Sequence, residues 1–159
     1  MAKLGLVRID SRLIHGQVMT MWSKTNGVNY ILAVDDASAN DPVMTSVYKM
    51  AVPSTLGVAI MTVKDAAEKF KNNTLKDRTY LVLIKDVETA HRLYSEGFKF
   101  DELQIGNLVN TKGTKMLHNN SRMSEEHLPL LVDLKNNGVR VYTQSVPTEK
   151  PVGLDKYLY

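Results

Sequence analysis

Short apolar runs alternate with helical stretches along most of this chain. The runs have the length and the aliphatic composition of buried strands, and they cover residues 4–9, 30–34, 57–61, 80–84, 102–105 and 139–143. The stretches between most of them are roughly a dozen residues long, the length of a crossover helix between parallel strands. This alternation predicts an α/β fold with an open, mainly parallel β-sheet and helices on both faces.

The length of the chain predicts one domain. Its 159 residues can bury a substantial core, so we expect a single domain over residues 1–159. Near the end, the segment 146–158 contains Pro147 and Pro151, and proline is confined largely to edge positions of a sheet. This tail is therefore expected at an edge of the sheet.

Two segments in the last third of the chain allow predictions of local structure. Ser124 precedes an apolar helical stripe that ends at Gly138, so the pattern predicts a helix over 124–137 with Ser124 as its N-cap. The segment 106–122 has no regular periodicity. A loop of that length inside a compact domain is usually functional or mobile.

The composition excludes several classes of function. The chain has no cysteine, which rules out disulfides, thiolate metal sites and cysteine nucleophiles. The net charge is +3, but the lysines and arginines are dispersed, which argues against nucleic-acid binding. No apolar segment approaches the ~18 residues that cross a bilayer. We expect a soluble, intracellular protein that reaches a membrane only through a partner.

His15 is the residue that points most clearly to chemistry. The segment 4–18 reads LGLVRIDSRLIHGQV, in which an apolar strand, a polar turn and the start of a helix follow one another. In an α/β sheet this order places His15 just beyond the carboxyl end of the first strand, where such folds keep their ligand sites. A neutral imidazole is a good nucleophile near pH 7, so His15 is a candidate to accept and pass on a phosphoryl group.

The neighbours of His15 suit an anionic group. Arg12 is predicted to pair bidentately with phosphoryl oxygens, while the Ser11 hydroxyl and the amides of Gly16 and Gln17 are candidate neutral donors.

Two further residues of this segment, Asp10 and Arg8, are candidates to support the site around His15. Asp10 is expected to hold Arg12 or the loop, or to fix the imidazole tautomer. Arg8 supplies a second guanidinium, but it belongs to the strand and its side chain can face either side of the sheet.

Asp35 and Asp36 follow the second apolar run and are predicted at the same sheet edge. Paired carboxylates can bind a metal or act as acid and base, but no third ligand stands at a useful spacing. We therefore expect a structural or loop-orienting role, and no metal. Asp41 is expected to begin a helix before Pro42.

The remaining candidates are weaker. Asn107, in the irregular segment, is a supporting candidate at the site. His91, His118 and His127 are expected at the surface. The GxGxxG and Walker-type glycine loops are absent, which argues against a dinucleotide enzyme or a P-loop kinase.

The segment VRIDSRLIHGQV closely resembles the phosphorylation-site motif of the IIB components of the mannose family of the bacterial phosphoenolpyruvate-dependent sugar phosphotransferase system. The resemblance extends along the chain, through VDD at 34–36, AND at 39–41, AVP at 51–53 and QSVP at 144–147. It implies an open parallel sheet with one antiparallel strand towards an edge.

The same resemblance implies a phosphocarrier. His15 would accept a phosphoryl group on imidazole Nδ1 from a histidine of a IIA protein or domain. It would then deliver the group to a hexose or amino sugar during uptake through the membrane subunits IIC and IID. The resemblance implies no cofactor or metal and a cytoplasmic protein associated peripherally with the membrane through IIC and IID, and it allows a homodimer.

Two other functions stay open on the residues alone. A non-enzymatic module of this fold would use the arginine-rich loop to recognise a phosphoprotein. An independent phosphatase or mutase would need an acid near His15, for which Asp35 and Asp36 are the candidates.

Overall fold

Seven strands form one open sheet in this computed structural model. It describes residues 1–108, 114–118 and 121–154, of which 114–118 and 121–124 are described as strands alone. The described residues form nine strands, of which β6 and β7 make a separate pair. The nine are β1 (Lys3–Ile9), β2 (Tyr30–Val34), β3 (Gly57–Met61), β4 (Thr79–Ile84), β5 (Glu102–Ile105), β6 (Thr114–His118), β7 (Ser121–Ser124), β8 (Arg140–Thr143) and β9 (Val152–Gly153). The order in the large sheet is β3-β2-β4-β1-β5-β8-β9.

The pairing in the large sheet is parallel except at one edge. All neighbouring strands from β3 to β8 run in the same direction, whereas β9 pairs antiparallel with β8. The strand β9 lies within the proline-containing tail, which confirms the expected edge position. The predicted α/β fold with one antiparallel strand near an edge is confirmed.

The described residues contain six α-helices. They are α1 (Gly16–Thr20), α2 (Asp36–Ala39), α3 (Pro42–Ala51), α4 (Val63–Lys71), α5 (Val87–Ser95) and α6 (Leu128–Asn136). Short polar side chains accept a hydrogen bond from a first-turn amide at the start of α2 to α5, and these N-caps are Asp35, Asp41, Thr62 and Asp86. Such caps satisfy amides that have no partner inside the helix, which fixes where each helix begins. The role expected for Asp41 is confirmed.

Helices cover both faces of the sheet. On one face, α4, α5 and α6 bury Ala66, Ala90 and Leu131 in the larger apolar cluster. On the other face, α1 and the 3-10 turn after it bury Val18 and Trp22 against the strands. Adjacent strand residues point to opposite faces, so the near-continuous apolar strands are explained by burial on both sides.

The structure corrects two local predictions. Ser124 is not an N-cap, because it ends β7 and a 3-10 turn over Glu125–His127 precedes α6. Pro129 lies in the first turn of α6, where its missing amide hydrogen is tolerated, and the helix begins at Leu128. The segment 106–122 is also not wholly irregular, since β6 pairs antiparallel with β7. The end of the helix is as predicted, with Gly138 in a left-handed conformation at φ +95.

Within the described residues, no helix combines the length and the apolar content needed to cross a bilayer.

Candidate functional site

The loop 10–15 connects β1 to α1 at the carboxyl edge of the sheet. Its first amide, of Asp10, donates to the carbonyl of Ile84 at the end of β4 (2.8 Å). The loop then turns sharply, because Leu13 adopts a left-handed conformation at φ 54 and its amide donates back to the Asp10 carbonyl (3.0 Å). A left-handed leucine costs roughly 1–2 kcal/mol. Its side chain is 1% exposed, so apolar burial offsets that cost.

His15 stands at the end of this turn as the residue before α1. Its imidazole Nε2 lies 3.0 Å from Oδ2 of Asp10, and its side chain is 13% exposed. A carboxylate accepts hydrogen bonds and cannot donate one. The contact therefore favours the tautomer with the proton on Nε2, which leaves the lone pair on Nδ1.

Asp10 is the centre of the loop's polar contacts. It is fully buried, and its Oδ1 accepts the backbone amide of Arg12 (3.1 Å). Its Oδ2 faces both His15 and the Nε of Arg8, the latter at 3.5 Å. Burying an uncompensated carboxylate is costly, so this set of donors is what permits an ionised Asp10 in the interior. These contacts are those expected of a residue that holds the loop, through the Arg12 amide, and orients the imidazole, through Nε2 of His15.

Arg12 and Gln17 lie on the exposed side of the loop. The Arg12 guanidinium donates through Nη2 to Oε1 of Gln17 (3.3 Å). Both side chains are exposed, and so is Gly16, where an added Cβ would meet no atom within 4 Å. Three of the predicted phosphate-binding residues therefore flank His15 on a surface that a protein partner can approach.

Arg8 does not flank the imidazole on that surface. Its side chain points into the protein beneath the loop, where it is 3% exposed. Burial lowers the pKa of Arg8, while the neighbouring carboxylate of Asp10 acts to raise it. An arginine stays protonated near neutral pH despite such a shift, so a positive charge is held under the site.

Ser11 and Asn107 tie two strand ends together. The Ser11 amide donates to the Asn107 carbonyl (2.7 Å), and the Asn107 side-chain amide donates to the Ser11 hydroxyl (3.2 Å). The segment after β5 is thus fastened to the His15 loop, as parallel strands require at a common edge.

Asp35 and Asp36 form hydrogen bonds with helix starts and with an arginine. Asp35 caps α2, accepting the amide (3.1 Å) and the hydroxyl (2.6 Å) of Ser38. Asp36 accepts the Val63 amide (2.9 Å) and the Arg92 guanidinium (2.7 Å). These contacts give the structural role that was expected.

The histidines of α5 and of the turn before α6 are not free surface residues. His91 contacts Asp133 through Nε2 (2.7 Å), and His127 contacts Glu88 in the same way (2.9 Å). Their side chains are 25% and 19% exposed, so both lie at the surface as expected but are partly covered. The packing of α5 against the 3-10 turn and α6 explains this, because each pair joins those elements. The side chain of His118 lies outside the described residues.

Among the described residues, no group of three or more metal-ligating side chains occurs.

Sequence reasoning did not single out four residues that surround Arg8 as parts of the site. They are Trp22, Gln104, Gly106 and Gln144. Three of them could have been found from their position after or near a strand end, where α/β folds keep their ligand sites. Gln104 lies near the end of β5, and Gly106 and Gln144 directly follow β5 and β8. Trp22 carries no comparable sequence signal.

The fold is an open α/β sheet, and its carboxyl edge carries a histidine paired with a buried carboxylate beside an exposed arginine. This arrangement defines a class of α/β protein that is suited to phosphoryl transfer. The model of one family matches residues 4–159, and its description is PTS system sorbose subfamily IIB component. The chain belongs to this family. Membership gives it a transferase role as a phosphocarrier component in sugar uptake.

Individual relatives agree with this membership. The chain is 30% identical over 159 residues to the N-acetylgalactosamine-specific phosphotransferase enzyme IIB component 2 of Escherichia coli (strain K12), covering 99% of this chain and 100% of the relative. It is 26% identical to the mannose-specific EIIAB component of the same organism, covering 92% of this chain and 45% of that protein. The crystal structure of manxB from Thermoanaerobacter tengcongensis superposes with a TM-score of 0.89 at 32% identity, covering 100% and 99% of the two chains.

Proposed function

We propose that His15 carries the phosphoryl group of this phosphocarrier. The group arrives from a phosphohistidine of a IIA protein or domain and leaves to a hexose or amino sugar, during uptake through the membrane subunits IIC and IID. The observation that carries the proposal is the contact between Nε2 of His15 and Asp10 at 3.0 Å. It supports Nδ1 as the nucleophile, because the tautomer that it favours has its lone pair on that nitrogen.

The first transfer needs no external proton. The Nδ1 lone pair of His15 forms the new P–N bond while the P–N bond of the donor breaks, and that electron pair returns to the donor imidazole. The proton on Nε2 of His15 stays in its hydrogen bond with Asp10. The phosphorylated ring therefore carries a positive charge that Asp10 stabilises.

The second transfer regenerates the neutral imidazole. A sugar hydroxyl oxygen forms the P–O bond as the bond to Nδ1 breaks, and the electron pair stays on Nδ1. The hydroxyl proton leaves to solvent or to a base of the sugar-binding partner. No metal or organic cofactor takes part in this sequence, and phosphoryl transfer asks the protein mainly for alignment and charge stabilisation.

Arg12 is the charged group that would meet the phosphoryl oxygens. Its guanidinium is exposed and held by the neutral Gln17 at 3.3 Å, so a more strongly bound anion can replace that contact. The Ser11 hydroxyl, the side chain of Gln17 and the amides of Gly16 and Gln17 would supply neutral donors.

The partners follow from the position of the site. His15 lies at a sheet edge whose neighbouring residues Arg12, Gly16 and Gln17 are exposed, which suits successive docking of IIA and of the membrane subunits. The mannose-specific EIIAB relative carries IIA and IIB in its name, which supports a IIA partner. We place the protein in the cytoplasm, at the membrane only through IIC and IID.

The test is phosphorylation in a reconstituted chain of carriers. With phosphoenolpyruvate, the general carrier proteins and the cognate IIA, the chain should gain one acid-labile, base-stable phosphate. His15→Gln should gain none, whereas His91→Gln, which removes another half-buried histidine paired with a carboxylate, should gain one. Label on the His15→Gln variant would overturn the assignment. Binding of phosphorylated IIA without any label would favour the phosphoprotein-binding module, and release of inorganic phosphate without IIC and IID would favour a phosphatase.

A further inference from the structure

Arg8 is enclosed by elements from four parts of the chain. Its guanidinium carbon lies 4.9 Å from the centre of the Trp22 ring, in the geometry of a cation–π contact. It also lies against the backbone at Gly106, where an added Cβ would stand 2.3 Å from that carbon. Glycine is required there because the guanidinium occupies the space of a side chain.

Hydrogen bonds fix the orientation of the guanidinium. Nη1 donates to the side-chain carbonyl of Gln104 and to the backbone carbonyl of Gln144 (2.8 Å). Gln104 is 1% exposed, and it donates in turn to Oε1 of Gln144 (3.2 Å). Gln104 and Gln144 are neutral, so they do not cancel the positive charge of the guanidinium. That charge acts in full on the group that lies near its Nε atom.

That neighbour is Asp10, which also contacts His15. Oδ2 of Asp10 lies 3.5 Å from Nε of Arg8 and 3.0 Å from Nε2 of His15. Nε of Arg8 and Nε2 of His15 are therefore at most 6.5 Å apart, the sum of these two distances. The same carboxylate oxygen therefore contacts the permanently charged Arg8 and the His15 ring, which becomes positively charged when it is protonated or phosphorylated.

We propose that Arg8 is a positioning residue whose buried charge limits how strongly Asp10 stabilises the protonated His15 ring. This proposal deepens the phosphocarrier function and rests on it. Arg8 orients the carboxylate that fixes the Nε2 tautomer and opposes a second positive charge on the ring. This opposition favours the neutral, nucleophilic form of the free ring. Transfer leaves the phosphorylated ring with its Nε2 proton against Asp10, and Arg8 opposes the resulting positive charge, so a share of the rings releases this proton to solvent. A ring without the proton is a poorer leaving group, which lengthens the life of the intermediate.

The size of the effect is measurable. Two unit charges about 6.5 Å apart repel with several-fold more than thermal energy at the effective dielectric constant of about 20 that describes protein interiors. Solvent relaxation around the variant reduces this, and we expect a change of roughly one pH unit in the titration of the ring. The titratable or charged side chains that act on Arg8 itself are Asp10, Arg12 and Tyr142. Burial raises the pKa of Tyr142, so that phenol stays neutral in the range of interest.

The test compares Arg8→Gln with Arg8→Lys and with Arg140→Gln. Arg140 is a matched control, since its guanidinium also lies over an aromatic ring, that of Tyr142 at 4.8 Å, but it is exposed and pairs with Glu102. The imidazole proton shifts of His15 are followed against pH by NMR in the unphosphorylated chain. The midpoint should rise by roughly one pH unit in Arg8→Gln and by less than about a third of that in Arg8→Lys and Arg140→Gln.

A second readout uses the phosphorylated chain. The half-life of the phosphate on His15 at neutral pH should fall several-fold in Arg8→Gln, because more of the ring keeps its Nε2 proton. If Arg8→Gln does not fold, Gly106→Ala serves instead, since its methyl group displaces the guanidinium without removing a charge, and its midpoint should rise in the same direction.

The outcomes separate this inference from the proposed function. An unchanged midpoint in a folded Arg8→Gln variant overturns the inference, and so does an equal rise in Arg8→Lys, which would show that hydrogen-bond geometry and not charge controls the ring. The titration needs no phosphoryl donor. A chain that is never phosphorylated on His15 would overturn the proposed function while the titration still decides the role of Arg8.

Discussion

Nε2 of His15 and Oδ2 of Asp10 lie 3.0 Å apart, and this contact distinguishes the two nitrogens of the imidazole. The carboxylate is fully buried and the ring is 13% exposed. Nε2 is therefore the nitrogen that the protein engages, and in the tautomer that this contact favours the lone pair is on Nδ1.

Replacing Asp10 by Asn should weaken both the tautomer preference and the nucleophile. The amide keeps the shape of the side chain but removes the charge that favours an Nε2 proton. We expect phosphate uptake by His15 to slow ~10-fold to 100-fold. The 15N shifts of the ring should show a larger share of the Nδ1-protonated tautomer.

The same variant should move the His15 titration to lower pH, opposite to Arg8→Gln. A titration that moves to higher pH in Asp10→Asn would contradict the electrostatic role given to this carboxylate. Asp35→Asn, which alters another buried carboxylate at the same edge, is the control and should leave the ring titration unchanged.

Arg12→Lys tests the guanidinium at the exposed side of the loop. Lysine keeps a cation but loses the planar fork that pairs with two phosphoryl oxygens. Transfer should slow ~10-fold or more, while thermal unfolding stays nearly unchanged because the side chain is exposed. Arg78→Lys, at an exposed arginine before β4, should alter neither quantity. Wild-type transfer rates in Arg12→Lys would show that this residue does not bind the phosphoryl group.

Asn107→Ala tests the link between the two strand ends. The change removes the hydrogen bond from the Asn107 side chain to the Ser11 hydroxyl (3.2 Å), which holds the loop that carries His15. We expect a several-fold loss of transfer rate with little change in stability, as for one exposed neutral hydrogen bond. Asn26→Ala is the matched control, since Asn26 is an exposed asparagine that donates to the Gly5 carbonyl (2.8 Å), on the first half of β1. An equal loss in both variants would count against a specific role for Asn107.

The stability of the protein should depend on Asp36 in a pH-dependent way. The hydrogen bond from the Arg92 side chain, followed by that from the Val63 amide, lowers the pKa of Asp36 below its ordinary value of 3.8. A lowered folded pKa stabilises the fold above the unfolded value, and this contribution is lost as the pH falls through the folded value. The Asp36 side chain is 42% exposed, so solvent screens the pair and the contribution is about 1 kcal/mol or less.

Asp36→Asn should therefore lower the melting temperature at pH 7 and have little effect near pH 2. Thermal unfolding followed by circular dichroism at both pH values checks this. Asp77→Asn is the control, because that carboxylate is 81% exposed and pairs with the N-terminal amine. A loss of stability in Asp36→Asn that is as large at pH 2 as at pH 7 would show that the ion pair is not its cause.

Binding of IIA should map to the carboxyl edge of the sheet. Amide shifts in a titration with unlabelled IIA are expected around Arg12, Gly16 and Asn107, which lie together and are exposed. The cleft near the start of β1, lined in part by Leu4, Lys99 and Asp101, should not respond. Shifts confined to that cleft would mean that the docking surface is misassigned.

The fold and the position of His15 followed from the sequence because they depend on strong, local patterns. The apolar runs match β1 to β5 and β8 within one residue, and the polar turn after β1 placed His15 beyond the strand end. Asp41 was identified as a cap because its short carboxylate, followed by proline, satisfies first-turn amides without help from distant residues.

The errors and omissions arise where distant segments meet. Whether Arg8 faces solvent or the interior depends on Gln104 and Gln144, which come from other strands and lie 96 and 136 residues away. Ser124 has the chemistry of an N-cap, but strand pairing with Thr114 takes it into β7. In both cases tertiary contacts decide the outcome and local propensity does not.

The chain contains one tryptophan, Trp22, and its ring contacts the Arg8 guanidinium under the loop 10–15. Indole emission is sensitive to a nearby charge, so a shift of Arg8 when His15 gains or loses a phosphoryl group should change the fluorescence of the protein. Trp22 is therefore an intrinsic fluorescent probe of the region around Arg8 and His15, and no second tryptophan of the chain contributes to its signal. Each turnover could be followed in real time in the unlabelled protein, provided that its partners carry no tryptophan at the interface.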